Sequence, residues 1–339
     1  MNWRGMFWLV WWLTAWGCLL HAQENPDELP PQQERRWQLG MWADLLFLDN
    51  DREGNEAFFK PAHLSFYAKY RWNDKLSFFG EVAGTREPDI GGVYESDANL
   101  ERLYLQYEWR DEFNLRLGKI DNQMGIVKPI HWLVTLDTIR RPILEDNSYL
   151  PAKITGLELF GKFYLRDHRL AYSFSLSDSN NEIVDDSPIV RAKGAGLDVS
   201  IAKSRLYRAG TAVVFYRDPR DKDRNVTGVL PYVEWWVLPG RLLSRSEFLN
   251  MRLETANRDH IQAFYTKLKW QFNKRSYLNL RYDRGDDQRS VAGRERTAGT
   301  VTLGTRIGNR WRLRVEGSTN RIEDEARFAE WSAWAGWLF

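Results

Sequence analysis

The chain has 339 residues, 48 basic and 46 acidic side chains, and a net charge of +2, so no global field directs it to nucleic acid. Its mean hydropathy of −0.55 excludes a helical membrane bundle. Its single cysteine excludes a disulfide framework or a thiolate metal site.

The first element is an export signal. Arg4 supplies a positive start, FWLVWWLTAWGCLL (Phe7 to Leu20) is the apolar stretch, and Leu20-His21-Ala22 offers a cleavage site before Gln23. That stretch is too short for a spanning helix with ordinary flanks. Residues 1–22 therefore read as a signal peptide and 23–35 as an N-terminal periplasmic segment. A retained signal anchor, or lipidation at Cys18, is the alternative. With the signal removed the mature chain has no cysteine.

From Arg36 onward the apolar period is two, not 3.6. Leu64, Phe66, Ala68 and Tyr70 alternate with Ser65, Tyr67, Lys69 and Arg71, and Leu278, Leu280 and Tyr282 alternate with Asn279, Arg281 and Asp283. The pattern predicts sixteen strands, roughly 36–48, 61–72, 75–86, 99–109, 113–120, 153–165, 169–178, 193–203, 206–217, 227–237, 241–255, 260–272, 276–285, 296–307, 311–321 and 327–339. Short connections (WNDK, WRDEF, RDHR, KSRL, LPGR, NKRS, GNRW) alternate with long ones such as EPDIGGVYESDA and DSNNEIVDDSP. A strand of about 11 residues rises about 36 Å, and a tilt of about 40° fits that to an apolar band. The expectation is an all-β chain: a transmembrane antiparallel β-barrel over residues 36–339, with short periplasmic turns and long outer loops, in a bacterial outer membrane.

Trp37, Trp72, Trp109, Trp270, Trp311 and Trp337 lie near short turns or a terminus, where an interfacial belt belongs. The competing assignment is the core of a soluble sandwich. The last segment, RFAEWSAWAGWLF, carries Trp331, Trp337 and the terminal Phe339 on its apolar face. That ending resembles the signal read by the outer-membrane barrel-assembly machinery.

The segment ERLYLQYEWRDEFNLRLGKIDNQMGI (Glu101 to Ile126) resembles the phosphate-selective porin O/P family of sixteen-stranded outer-membrane porins. The shared features are Tyr107 and Trp109 before a short turn, then Asn114-Leu115-Arg116, Gly118-Lys119 and Gly125. The resemblance implies a trimeric, water-filled channel; no cofactor is expected. The family's basic vestibule has no residue-by-residue counterpart here.

The longest connection, 121–152, would be the third outer loop. Its apolar segments argue against disorder, and its length argues for a role. It is expected to line a constriction with Lys128, His131, Arg140 and Arg141; capping the barrel or packing on a neighbouring subunit is the alternative. Strand phase assigns twelve basic residues to the lumen: Lys69, Arg71, Arg102, Arg116, Lys162, Arg252, Lys267, Lys269, Arg281, Arg306, Arg312 and Arg314. It assigns ten acids: Asp44, Glu81, Glu108, Glu158, Asp198, Glu234, Glu254, Asp283, Glu316 and Glu330. That balance predicts modest selectivity, tilted to anions by the loop's own cations. For most of these charges, a cross-strand ion pair within the wall is the competing role.

No nucleophile elbow, zincin motif or phosphate-cradling glycine loop is present. The expected function is passive diffusion of small hydrophilic solutes or ions. A sleeve housing a partner protein and a barrel enzyme using His63, His131 or His260 remain as alternatives.

Overall fold

A computed structural model describes residues 36–51, 57–85, 97–127, 129, 136–145, 149–150, 153–178, 193–203, 206–217, 225–254, 260–288, 295–323, 325 and 327–338. The signal and N-terminal segment (1–35), most of the long outer connections, Lys128, His131 and Phe339 lie outside the described residues.

Sixteen strands follow one another: β1 Trp37–Asn50, β2 Phe58–Arg71, β3 Leu76–Thr85, β4 Asp97–Arg110, β5 Phe113–Asp121, β6 Lys153–Leu165, β7 His168–Asp178 and β8 Lys193–Lys203. The second half is β9 Tyr207–Arg217, β10 Asn225–Leu238, β11 Leu242–Glu254, β12 His260–Gln271, β13 Ser276–Asp287, β14 Glu295–Ile307, β15 Trp311–Ile322 and β16 Phe328–Leu338. Each pairs antiparallel with its sequence neighbours, and β1 pairs with β16 to close the barrel. Closure leaves no edge strand, and every strand ladder is satisfied within the sheet, as hydrocarbon requires.

The sequence explains the turns. Asn73 accepts hydrogen bonds from the Lys75 and Leu76 amides at 2.9 and 2.8 Å, and Asn273 repeats this with Arg275 and Ser276. Both are Asx turns. Gly240 (φ 71°) and Gly308 (φ 59°) take left-handed conformations that a side chain would strain.

The outer surface is apolar: Leu64, Phe66, Leu105, Leu117, Val213, Leu268, Leu280 and Val301 are all exposed. Trp37, Trp72, Trp109, Trp270 and Trp311 are exposed beside the short turns; Trp337 is half-buried, its ring 6.3 Å from that of Trp311. Rings exposed at one end of the barrel suit the headgroup layer. The inner face carries the buried polar residues, among them Ser65, Glu81, Asn279, Thr302 and Glu316.

One irregularity alters this phase. Glu81 pairs with Arg102 but Val82 pairs with Leu100, so Glu101 is the extra residue of a bulge. Strict alternation would put Glu101 outward with Leu103 and Leu105. Instead it is buried and pairs with Lys153.

Candidate functional site

The third loop enters the lumen. Gly125, at φ 76°, turns the chain after β5; a Cβ there would collide with Glu247 and Leu230. Met124, Val127, Leu136, Leu144, Tyr149 and Leu150 then pack on the inward faces of β9–β12, against Val214, Tyr216, Leu230, Leu249, Met251, Ile261 and Tyr265. Burying each such side chain contributes about 1.5–3 kcal/mol. Further along, Ile139 packs on Trp42 of β1 and Trp334 of β16.

Polar contacts fix the loop's path. Wall carboxylates accept loop amides: Asp198 from Gly125 (3.0 Å), Glu247 from Ile126, Glu316 from Ile139 and Arg140 (2.8 and 2.9 Å), and Asp283 from Ile143 (3.3 Å). Wall cations meet loop oxygens: Arg281 donates to the carbonyls of Arg140 (2.7 Å) and Arg141 (3.3 Å). Asp137 pairs with Lys267, with Lys269 at 3.3 Å and with Arg245 at 3.4 Å. Burial alone would raise the Asp137 pKa. The three cations overcome that and hold the carboxyl well below the usual carboxylate range.

These contacts sort the expected lumen charges. Lys267 and Arg281 are buried under the loop, and Lys269 is half-buried at its margin. Arg140 is exposed and reaches Glu330 at 3.0 Å, whereas Arg141 is half-buried. Arg102 is bound by Glu81 and Asp121, and Arg116 by Glu158 (2.6, 3.0 and 2.9 Å). Lys162 approaches Asp111 at 3.7 Å and lies 5.8 Å from the centre of the Tyr164 ring. Lys69, Arg306 and Arg312 carry no ion pair among the described residues, and Arg306 stands directly opposite Arg312 in the register of β14 and β15. Arg71 shares the inward parity of Lys69 and is half-buried.

Two assignments from strand phase are corrected. Arg252 and Glu254 are exposed and share the outward parity of Phe248, while Leu249, Met251 and Leu253 face inward. At its long-loop end the inner wall of β11 is apolar because the loop covers it, so the polar-in rule inverts there. Sequence reasoning also passes over Asp137, Glu145 and Glu247. Glu247 has the inward parity of Arg245; Asp137 and Glu145 lie in a loop, where periodicity carries no orientation.

No family model matches the chain. A curated relative, an uncharacterized protein of Aquifex aeolicus (strain VF5), is 24% identical over 160 residues, covering 47% of this chain and 36% of that protein. The chain thus spans about a third of the length of that relative. Among solved structures, an anion-selective porin from Comamonas acidovorans superposes with a TM-score of 0.66 at 8% identity, covering 89% of this chain and 99% of that one. The trimer form of OmpT, an outer membrane protein of Vibrio cholerae, superposes with a TM-score of 0.59 at 11% identity, covering 90% and 100%. The architecture is that of the sixteen-stranded outer-membrane porins.

Proposed function

We propose that this chain is an outer-membrane porin whose water-filled lumen passes small hydrophilic solutes with a bias toward anions. Export by residues 1–22, insertion through the aromatic C-terminus and assembly as a homotrimer belong to this reading. The trimer form of the Vibrio cholerae protein supports the last of these.

One observation carries the anion bias. Asp198, Glu247, Asp283 and Glu316 accept loop amides, and Glu330 holds Arg140, so these carboxylates are committed to docking. Glu81 and Glu158 are committed to arginines. Lys69, Arg306 and Arg312, toward the short-turn end, lack such compensation among the described residues. Uncompensated cations in a narrow, low-dielectric passage raise the local anion concentration. The likeness to the Comamonas acidovorans porin, itself anion-selective, points the same way.

The phosphate-porin resemblance of 101–126 is accounted for in part by construction of the loop. Gly118 takes φ 135°, with Leu103 and Tyr104 backbone where a Cβ would lie, and Gly125 launches the chain inward. Phosphate is therefore one permeant among several for this reading. The docked loop favours a pore over a sleeve, because it occupies the space along β9–β13 that a threaded partner would need. Against a barrel enzyme, Ser65, two residues from His63, donates to Glu81, while His63 approaches Asp44 at 3.4 Å.

The test is the zero-current potential of the purified protein in a planar bilayer under a potassium chloride gradient, repeated with potassium phosphate. A chloride-over-potassium preference is expected. A potassium preference sinks the anion bias, and an absence of conductance sinks the pore.

A further inference from the structure

The wall of β2–β4, away from the described part of the loop, carries a row of rings. Tyr67 of β2, Phe79 of β3 and Tyr104 of β4 have the inward parity of Ser65, Glu81 and Gln106. The Tyr67 and Phe79 rings lie 6.0 Å apart at 16°, and the Phe79 and Tyr104 rings 5.1 Å apart at 15°. Three successive strands thus hold nearly parallel rings. Gly40 makes this possible on β1: a Cβ there would fall within the Tyr67 phenol, so that ring lies across bare backbone, along the wall.

Cations border the row. Arg102 sits 4.6 Å from the Phe79 ring centre, and Arg116 sits 5.7 Å from that of Tyr104. Both guanidiniums are already bound by carboxylates. Lys69 stands directly opposite Phe79 in the β2–β3 register, two residues from Tyr67, and has no ion pair among the described residues. Tyr67, Tyr104 and Lys69 are half-buried and partly open to solvent, while Phe79 is buried between its neighbours.

We propose that this wall is a binding track for organic carboxylates that carry a flat ring: the ring lies on Tyr67 and Tyr104, and the carboxylate meets the ammonium of Lys69. The proposal rests on the anion-pore reading and names its preferred permeant class. Flat faces select planar rings by offset stacking, and the Lys69 ammonium selects the charge. Stacking of this kind is worth roughly 2- to 10-fold in occupancy.

The experiment compares benzoate with acetate, a ringed and a ringless carboxylate, by zero-current potentials under bi-ionic conditions with the intact protein in a planar bilayer. Benzoate diffuses more slowly in water, so a featureless hole gives a benzoate-to-acetate permeability ratio below one. The track is expected to lift that ratio above one. The double variant Tyr67→Leu, Tyr104→Leu should return it below one, Lys69→Gln should lower the permeability of both carboxylates relative to potassium, and the outward-facing control Tyr282→Leu should leave the ratio at the wild-type value. A wild-type ratio at or below one overturns the track, and needs no variant to fold. A raised ratio that survives the double variant also overturns it. Chloride against potassium judges the anion reading separately, so either idea can fail alone.

Discussion

Asp137 of the third loop forms a buried ion pair with Lys267 of β12, and the Asn279 side chain donates to the Asp137 carbonyl alongside. Lys269 and Arg245 complete the ring of cations around this carboxylate. Removing one partner of a buried charge cluster leaves the rest uncompensated, at about 3–5 kcal/mol. Asp137→Asn should therefore loosen the middle of the loop from the wall. Single-channel recording should show a noisier open level than wild type, and thermal unfolding should shift downward. Unchanged traces and unchanged melting would mean that the apolar contacts alone hold the loop.

The pH dependence follows from the same residue. Its folded-state pKa lies below the unfolded value, because three cations outweigh the burial that would raise it. A depressed carboxylate stabilises fully above its unfolded pKa of about 3.9, and that contribution fades as pH falls through the folded value. Docking through Asp137 should thus hold from neutral pH down to about pH 4 and weaken only in stronger acid. Open-channel noise recorded from pH 7 down to pH 3 measures this. A rise in noise already at pH 5–6 that Asp137→Asn abolished would contradict it.

Gly125 is the hinge on which the loop turns into the lumen. Its φ of 76° disfavours any other residue, and a Cβ would press on the Glu247 carboxyl that receives the Ile126 amide. Strain of this kind costs about 1–3 kcal/mol before the lost contact is counted. Gly125→Val should give barrels that still migrate as heat-modifiable species, since β5 and its partners are untouched, but with altered conductance. Wild-type conductance in a folded Gly125→Val protein would show that the turn tolerates a side chain.

The barrel is legible in the sequence because lipid on one side and water on the other impose period two on every strand, and because Asn73, Gly240, Asn273 and Gly308 announce the turns. The site is less so. Periodicity reports which face is apolar, not which face is outside. At Met251 and Leu253 the apolar face is inside, under the loop, and strand phase misplaces Arg252 in the lumen for that reason. The bulge at Glu101 similarly depends on pairing with β3, which no single strand reveals. Asp137 sits in a segment without periodicity. Its partners Lys267 and Lys269 are visible as inward cations, but their engagement by a residue some 130 positions earlier is not.

Arg306 and Arg312 face each other across β14 and β15, an arrangement that costs stability in a sheet and gains nothing for the wall. A role toward the permeant would account for it. Arg306→Glu should create a cross-strand pair with Arg312, so the barrel should melt no lower than wild type while its chloride preference falls. Zero-current potentials in a potassium chloride gradient would register that fall. A preference that stayed at the wild-type value would remove these two residues from the selectivity account.

Arg252 supplies the converse test, since it shares its strand with lumen residues but points the other way. On the outward face near the long-loop end of β11, a charged side chain is tolerated at about 0–1 kcal/mol. Arg252→Leu should therefore leave conductance and ion preference at wild-type values and change stability by no more than about 1 kcal/mol. Lys269→Gln, inward at the loop margin beside Asp137, should shift the ion preference toward cations and loosen the loop as well. Measured together, the pair separates the two faces of neighbouring strands. A shift in selectivity from Arg252→Leu equal to that from Lys269→Gln would mean that the inward face of β11 had been assigned the wrong way round.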